Sequence, residues 1–169
     1  MIHQTRIIRF EKARPADATT LALVCGWAFD NDINYGAPGK GGPPGYKSDM
    51  WQLRMMSRGC YYKMILEEPG ERIIGGFFVF QNAFGDCELA RIFIDPDYQN
   101  QGIGTQAMAF MEASFPDAHR WTLGTPAWNL RTQHFYEKVG YVKIGTEGRD
   151  GIRFEKIMIA PEGDEASGA

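Results

Sequence analysis

The chain has 169 residues, 44% of them hydrophobic and 23% charged, a size and composition that suit one globular domain. Its net charge of −3 comes from the last nine residues, which hold Glu162, Asp164 and Glu165, whereas the other 18 acidic side chains are matched by 18 basic ones. The lack of a basic patch argues against a nucleic-acid partner. No apolar run has the length of a signal peptide or a membrane span, so we expect a cytoplasmic protein that does not bind membranes.

The three cysteines, Cys25, Cys60 and Cys87, are isolated from one another in the chain. An odd number of cysteines without CxxC spacing argues against a disulfide framework and against a zinc site. We therefore expect reduced thiols and no metal.

Strand and helix patterns run through residues 1–160, which we expect to form a single domain, and residues 161–169 are expected to be a disordered tail. Asp17 and Ser48 are predicted to cap the first two helices, and Gly140 to end the last one. Between those two caps, residues 31–48 form a loop rich in glycine and proline.

The predicted order of elements is β-α-α-β-β-β-α-β-α-β-β, which indicates a mixed α/β sheet with antiparallel hairpins at both ends. Helices connect the strands predicted at 87–94, 120–125 and 141–146, so parallel neighbours are expected at both of these connections. The dipeptide Asp150-Gly151 predicts the turn of the final hairpin.

The sequence GIGTQA, residues 102–107, places two glycines just before a helical pattern. A Walker phosphate loop would need Lys-Ser/Thr after the second glycine, where this chain has Thr105 and Gln106. A dinucleotide turn would follow its strand directly, but seven residues separate the strand from Gly102. Two alternatives remain: a plain turn that needs glycine, or backbone N–H groups that bind a pyrophosphate at a helix N-terminus.

Two motifs in this region resemble the GNAT superfamily of acyl-coenzyme A N-acyltransferases. The first is QNQGIG, residues 99–104, which matches the Q/R-x-x-G-x-G/A motif of that superfamily. The second is the strand, asparagine and helix of WTLGTPAWNLRTQHFYEKVGY, residues 121–141, which departs from FYEKxGF in having Tyr141 for Phe. The order of elements also agrees over roughly residues 5 to 159. The resemblance implies a GNAT fold with a mostly antiparallel sheet of about seven strands, about four helices and splayed central strands.

The resemblance further implies that the cofactor is acetyl-CoA, used as a co-substrate. Its pyrophosphate would bind to the glycine turn, its pantetheine arm would lie along the preceding strand, and a main-chain N–H near Phe93 or Ile94 would stabilise the oxyanion. The cofactor-binding candidates are Ile92, Phe93, Ile94, Gln99, Asn100, Gln101, Gly102, Ile103, Gly104, Thr105 and Asn129. Asn129 is also the predicted cap of the last helix.

Tyr136 and Glu88 are the predicted catalytic residues. By its place in the FYEK motif, Tyr136 is a candidate general acid for the departing thiolate, although its ring has an alternative role in packing. Strand alternation predicts that Glu88 shares a face with Ala90, Ile92 and Ile94, where apolar neighbours would suit it to act as a base. A chain of water molecules, or a solvated Glu88 without this role, are the alternatives.

By the resemblance, the acceptor is expected to be a small-molecule or peptide amine, bound by the loop at residues 31–48; the alternative is a mobile surface loop with no ligand role. Tyr35, Tyr46, Asp49 and Trp51 are the substrate-binding candidates, together with Lys40 and Lys47, and Asp32 or Asp49 would hold a cationic amine. A homodimer is common in the family, but no residue indicates one here. The alternative function is a non-catalytic acyl-CoA-binding module with a regulatory role.

Overall fold

A seven-stranded sheet forms the centre of the computed structural model, which describes residues 6–67 and 69–158. The strands follow the spatial order β1-β2-β3-β4-β5-β7-β6, and among the described strands only the β4–β5 pair is parallel. This architecture confirms the predicted mixed, mostly antiparallel sheet. In chain order the strands are β1 Ile8–Lys12, β2 Cys60–Leu66, β3 Arg72–Gln81, β4 Cys87–Ile94, β5 Arg120–Pro126, β6 Val142–Glu147 and β7 Gly151–Ile157.

Helices cover both faces of this sheet. The phenylalanines at positions 77 and 78 of β3 point to opposite faces, and each belongs to a different apolar cluster. One cluster contains side chains of the first two helices, and the other contains side chains of the last two. The helices are α1 Ala18–Asp30, α2 Asp49–Arg58, α3 Ile103–Ser114 and α4 Leu130–Lys138. The tail expected at residues 161–169 lies outside the described residues.

The predicted helix ends are confirmed at Asp17, Ser48, Asn129 and Gly140, but the side chain of Asp17 does not cap α1 as predicted. Ser48 and Asn129 each accept a hydrogen bond from the main-chain N–H three residues ahead, at 3.1 Å, and Gly140 has a left-handed φ of 100°. Asp17 makes no such bond to α1. Its carboxylate instead accepts from Lys63 Nζ at 2.9 Å, because that buried ammonium needs an anionic partner.

One of the two predicted parallel connections is also wrong. Strand β5 is parallel to β4 as expected, but its other neighbour is the antiparallel β7 and not β6. Strand β7 carries the fully buried Phe154, whereas every residue of β6 is exposed. The final hairpin therefore folds back so that its more apolar strand lies inside and the polar one forms the edge.

Strand β4 contains a β-bulge at Ala90. Arg91 lies opposite Phe78 of β3, and Leu89 lies opposite the next residue, Val79, so Ala90 has no partner on that strand. An extra residue of this kind shifts the alternation of side chains by one position.

The bulge separates Glu88 from the residues with which it was expected to share a face. Glu88 lies opposite Phe80, in the cluster beside α1 and α2, whereas Ile92 lies opposite Phe77, in the cluster beside α3 and α4. The prediction that one face holds Glu88, Ala90, Ile92 and Ile94 is therefore wrong, because it assumed a regular strand.

Strands β4 and β5 separate soon after they meet. Their pairing is limited to Cys87 with Trp121 and Glu88 with Thr122. Beyond Glu88, the edge of β4 that faces β5 has no ladder partner there. The predicted splay of the central strands is thus present, and it leaves a slot that ends at the glycine turn.

Candidate active site

The main chain at the end of β4 presents hydrogen-bonding groups to the slot. The N–H of Asp95 donates to Ile74 of β3 at 2.7 Å, so the main-chain groups of Phe93 face the same way and those of Ile92 and Ile94 face the slot. The side-chain amide of Gln99 donates to the carbonyl of Ile94 at 2.8 Å. The alternation therefore favours Ile92 and Ile94, and not Phe93, as the residues whose main chain an extended ligand can reach.

The glycine turn forms a cradle of main-chain N–H groups at the end of the slot. Asn100 and Gly102 both have left-handed φ angles, 60° and 79°. The first intrahelical bond of α3 runs from Gln106 N–H to the carbonyl of Gly102 at 3.2 Å, which leaves the N–H groups of residues 103 to 105 without helical acceptors. A Cβ on Gly102 would have no described atom within 4 Å. This arrangement suits an anion, because the N–H groups and the helix dipole converge on open space.

The second glycine of the motif has a different role. A Cβ on Gly104 would lie 3.1 Å from Cζ of Phe135, a residue of α4. Gly104 therefore lets α4 pack closely against the turn. The side chain of Gln101 stays on the outside, where its amide donates to the carbonyl of Asp97 at 3.2 Å.

An arginine that the sequence analysis did not single out lies beside this turn. Arg131 Nη1 donates to Gln99 Oε1 at 2.8 Å, and its Nη2 donates to Asp32 Oδ1 at 3.2 Å. Its guanidinium carbon is 3.5 Å from the centre of the Tyr35 ring. A cation is unfavourable in the first turn of a helix, where Arg131 lies. This position was the feature of the sequence that could have indicated anionic or polar partners for Arg131 outside α4.

Tyr136 is buried on the inner side of α4. Its ring lies 6.1 Å from that of Tyr141 and 6.0 Å from that of Phe154, measured between centroids. Burial raises the pKa of Tyr136 above its ordinary value, and the negative charge of Asp32 raises it further. The hydroxyl is therefore protonated at neutral pH and can donate. The exposed His134 lies elsewhere on the helix surface, as expected.

An acidic cavity of about 430 Å³ opens between the splayed strands and the final hairpin. Arg153 donates to Glu88 at 3.0 Å and to Glu147 at 2.9 Å. The side chain of Glu88 is 43% exposed, so the expectation of an acid held among apolar neighbours is wrong. Because three carboxylates and one guanidinium line the cavity, it favours a positively charged ligand. Its charged and aromatic lining consists of Glu88, Trp128, Glu147, Asp150 and Arg153.

Of the predicted acceptor residues, Tyr35 and Asp32 contact Arg131, which bonds to Gln99 of the glycine turn. Tyr46 donates from its hydroxyl to Asp30 at 2.8 Å, and the ring of Trp51 lies 3.8 Å from the guanidinium of Arg91. Asp49 is exposed in the first turn of α2. These three residues hold or flank the loop at 31–48, and the structure does not bring them into the acidic cavity.

Asn129 was predicted both to cap α4 and to bind the cofactor. Its side-chain oxygen caps α4 by accepting from Thr132 N–H, and the residue is almost fully buried at the β5–α4 junction. The cap uses the oxygen only. The NH₂ group of the same side chain therefore keeps its two donors for another partner.

Comparison with known proteins identifies the class to which this fold and slot belong. The acetyltransferase (GNAT) family matches residues 32–141. The chain therefore belongs to the GNAT family of acetyltransferases. Part of the sequence is also 29% identical, over 75 residues, to the uncharacterized protein YrkN of Bacillus subtilis strain 168; the match spans 44% of this chain and 40% of that relative.

Solved structures of similar fold include several acetyltransferases. An acetyltransferase of Thermus thermophilus superposes with a TM-score of 0.74 at 16% identity, covering 91% of this chain and 99% of the other. The PaiA N-acetyltransferase of Thermoplasma acidophilum, in complex with coenzyme A, gives 0.72 at 18%, with coverages of 90% and 99%. The ribosomal-protein-S18-alanine N-acetyltransferase of Escherichia coli gives 0.69 at 17%, with coverages of 92% and 97%. At these identities the likeness supports the fold. None of the described helices is long and apolar enough to cross a membrane.

Proposed function

We propose that the protein is an N-acetyltransferase that moves the acetyl group of acetyl-CoA to a primary amine. The observation that carries the proposal is the unpaired edge of β4, which leads to the N–H cradle at the start of α3, with Tyr136 buried on the adjacent helix α4. Membership of the GNAT family supports this assignment, as does the fold shared with a neighbour in complex with coenzyme A.

The residues of the slot fit the shape and charge of coenzyme A. The cradle at residues 101 to 105 offers donors to a pyrophosphate, and the edge of β4 at Ile92 and Ile94 offers an N–H and C=O row to the amide groups of a pantetheine arm. The free NH₂ group of Asn129 adds a donor on the opposite side of the slot. Gln99 lies where these two parts meet, and the carbonyl of Ile94 that accepts from its amide has a second lone pair that can accept from the ligand.

Acetyl-CoA supplies an activated acetyl thioester that an amine can attack directly in a ternary complex. A main-chain N–H of Ile92 or Ile94 would stabilise the oxyanion. Tyr136 would then donate its proton to the departing sulfur, a role that its raised pKa permits because the hydroxyl stays protonated. Glu88 stays a predicted base for the proton that the amine loses, either directly or through water, although it forms an ion pair with Arg153 at 3.0 Å.

The acidic cavity supports a cationic acceptor. Arg153 offsets part of the charge of its three carboxylates, and the ring of Trp128 provides a surface on which an ammonium can bind. A small amine or a peptide amino terminus fits this description.

The proposal is tested by titrating the protein with acetyl-CoA and then measuring thiol release over a panel of amines. We expect Tyr136→Phe to lower kcat by about 100-fold or more while acetyl-CoA still binds. Tyr141→Phe is the matched control, because this buried tyrosine belongs to the same aromatic cluster but follows α4. Binding without turnover on any amine would favour the regulatory module, full turnover by Tyr136→Phe would remove Tyr136 from its role, and failure to bind acetyl-CoA would overturn both functions.

A further inference from the structure

We propose that coenzyme A breaks the ion pair between Asp32 and Arg131, so that Arg131 binds the pyrophosphate and the released Asp32 carboxylate binds the amine acceptor. The inference rests on the proposed function, since it assigns two positioning residues to the same slot. It makes acceptor binding depend on prior binding of the cofactor.

Arg131 is placed where a pyrophosphate in the cradle would meet it. It bonds to Gln99, the first residue of the turn, and Gln99 also bonds to the end of β4. The guanidinium therefore lies between the strand edge that suits pantetheine and the N–H groups that suit phosphate. A pyrophosphate carries more negative charge than a carboxylate and matches the fork of a guanidinium, so it competes well for this side chain.

Asp32 depends on Arg131 more than an ordinary surface carboxylate would. Its side chain is only 13% exposed, and its contact with Nη2 of Arg131 spans 99 positions of the chain. Burial raises the pKa of Asp32, and the charge of Arg131 acts in the opposite direction. When Arg131 turns to another anion, a buried carboxylate is left uncompensated, which favours the entry of a cation.

The place of Asp32 suits the reaction as well as the charge. Asp32 is joined through Arg131 to the first turn of α4, the helix that carries Tyr136, the proposed acid at the sulfur. An ammonium held by Asp32 would thus lie beside that helix, outside the acidic cavity, and its binding would depend on the cofactor. Glu88 would not be released in this way when the cofactor binds. Its partner Arg153 also bonds to Glu147 and Thr122, and the cofactor contacts none of these residues in the proposed arrangement.

The test measures the affinity for coenzyme A by calorimetry in four proteins: wild type, Arg131→Gln, Asp32→Asn and the double variant. We expect Arg131→Gln to weaken binding by about tenfold or more, and Asp32→Asn to tighten it several-fold because the competing carboxylate is neutralised. The double variant should resemble Arg131→Gln, since Asp32 acts through Arg131. Dephospho-coenzyme A should show the same pattern, because the cradle is assigned to the pyrophosphate.

A second readout follows the amine. With the best amine of the panel, Asp32→Asn should raise KM about tenfold with a smaller change in kcat, and initial rates should show that acetyl-CoA binds first. Arg120→Gln is the matched control, since it breaks an arginine–carboxylate pair with Glu155 at the far end of β5 and should leave both affinities unchanged. Arg131→Lys, which keeps the charge, should fall between wild type and Arg131→Gln, and thermal melts establish that each variant is folded.

The outcomes separate this inference from the proposed function. Weaker or unchanged coenzyme A binding in Asp32→Asn, with normal transfer in the wild type, would overturn the proposed exchange of partners. It would not contradict the proposed acetyltransferase function. The pair would then serve only to fix the segment after α1. A wild-type protein that does not bind coenzyme A would overturn both.

Discussion

The glycine turn at residues 99–104 and the loop at residues 31–48 both depend on glycine, but for opposite reasons. In the turn, Gly102 has a left-handed φ and its missing Cβ leaves space that no described atom fills within 4 Å. In the loop, Gly45 also has a left-handed φ, of 75°, but a Cβ there would overlap Cγ of Trp51. The first glycine leaves room for a ligand, and the second leaves room for the protein's own side chain.

This difference shows which kind of glycine marks a binding site. A left-handed glycine that faces open space beside free N–H groups can receive an anion. A left-handed glycine under an aromatic ring indicates a packed loop, however irregular its sequence. The 31–48 loop is accordingly fixed at several points: Arg91 donates to the carbonyl of Pro44 at 3.1 Å, and Asp30 accepts from Tyr46 and Lys47.

The largest expected effect comes from filling the space at Gly102. In Gly102→Val a β-branched residue would need a left-handed φ, and its side chain would occupy the cradle. We expect coenzyme A to bind about 100-fold more weakly, which corresponds to about 3 kcal/mol of strain and lost contacts. The measurement is calorimetry with coenzyme A. Gly41→Ala is the control, because a Cβ at Gly41 would have no described atom within 4 Å. A Gly102→Val protein with wild-type affinity would show that the turn does not bind the cofactor.

The sequence predicted the turn well because its geometry depends on neighbouring residues. The spacing of Gly102 and Gly104, the strand before them and the helix after them are all local signals. The helix ends at Ser48, Asn129 and Gly140 were predictable for the same reason.

What the sequence did not predict depends on residues far apart in the chain. The bulge at Ala90 leaves no mark in the apolar pattern of β4, yet it decides which face Glu88 occupies. The sequence does not show that Arg131 bonds to Asp32 and Gln99, because both residues are distant from it in the chain. Lys63 likewise takes the carboxylate of Asp17 away from the helix that it was expected to cap.

The next largest effect should come from Gly45→Ala, which separates the loop from the turn. The new Cβ would overlap the ring of Trp51 and the residue would have to keep a left-handed φ, so the loop must move. We expect KM for the amine to rise about tenfold, while the affinity for coenzyme A stays within twofold of wild type. Steady-state kinetics give KM for the amine, and calorimetry gives the affinity for coenzyme A. Equal losses in both would contradict the division of the site into a cofactor part and an acceptor part.

A smaller effect is expected from Arg91→Lys, beneath the loop. The guanidinium stacks on Trp51 at 3.8 Å and donates to Pro44, whereas a lysine has no planar group to stack and a single donor centre. We expect KM for the amine to rise about fivefold, with a lower melting temperature because Arg91 is buried. Arg54→Lys, at an exposed position of α2, is the control and should melt like the wild type. An unchanged KM in a destabilised Arg91→Lys protein would mean that the loop does not shape the acceptor site.

The smallest effect concerns the contacts of Asp30 with Tyr46 and Lys47, which we call the Asp30 tether, and their dependence on pH. The hydrogen bond from Lys47 lowers the pKa of Asp30, and the Tyr46 hydroxyl assists while burial opposes. A lowered carboxyl pKa stabilises the fold above the unfolded value of about 3.9, and this contribution disappears as the pH falls through the folded value. Between pH 6 and 8 the tether is therefore complete, and Asp30→Asn should change KM for the amine less than twofold, since Lys47 is largely exposed.

The same variant should melt slightly below the wild type at pH 7, and the two melting temperatures should converge as the pH falls below the lowered pKa of Asp30, because Asp30 is then protonated in both the folded and the unfolded chain. A difference that persists below that pKa would show that the ionised carboxylate is not what holds Tyr46 and Lys47. In the turn, by contrast, the ligand is bound by main-chain N–H groups that do not titrate. The affinity for coenzyme A should therefore be the same in Asp30→Asn and the wild type at every pH between 6 and 8.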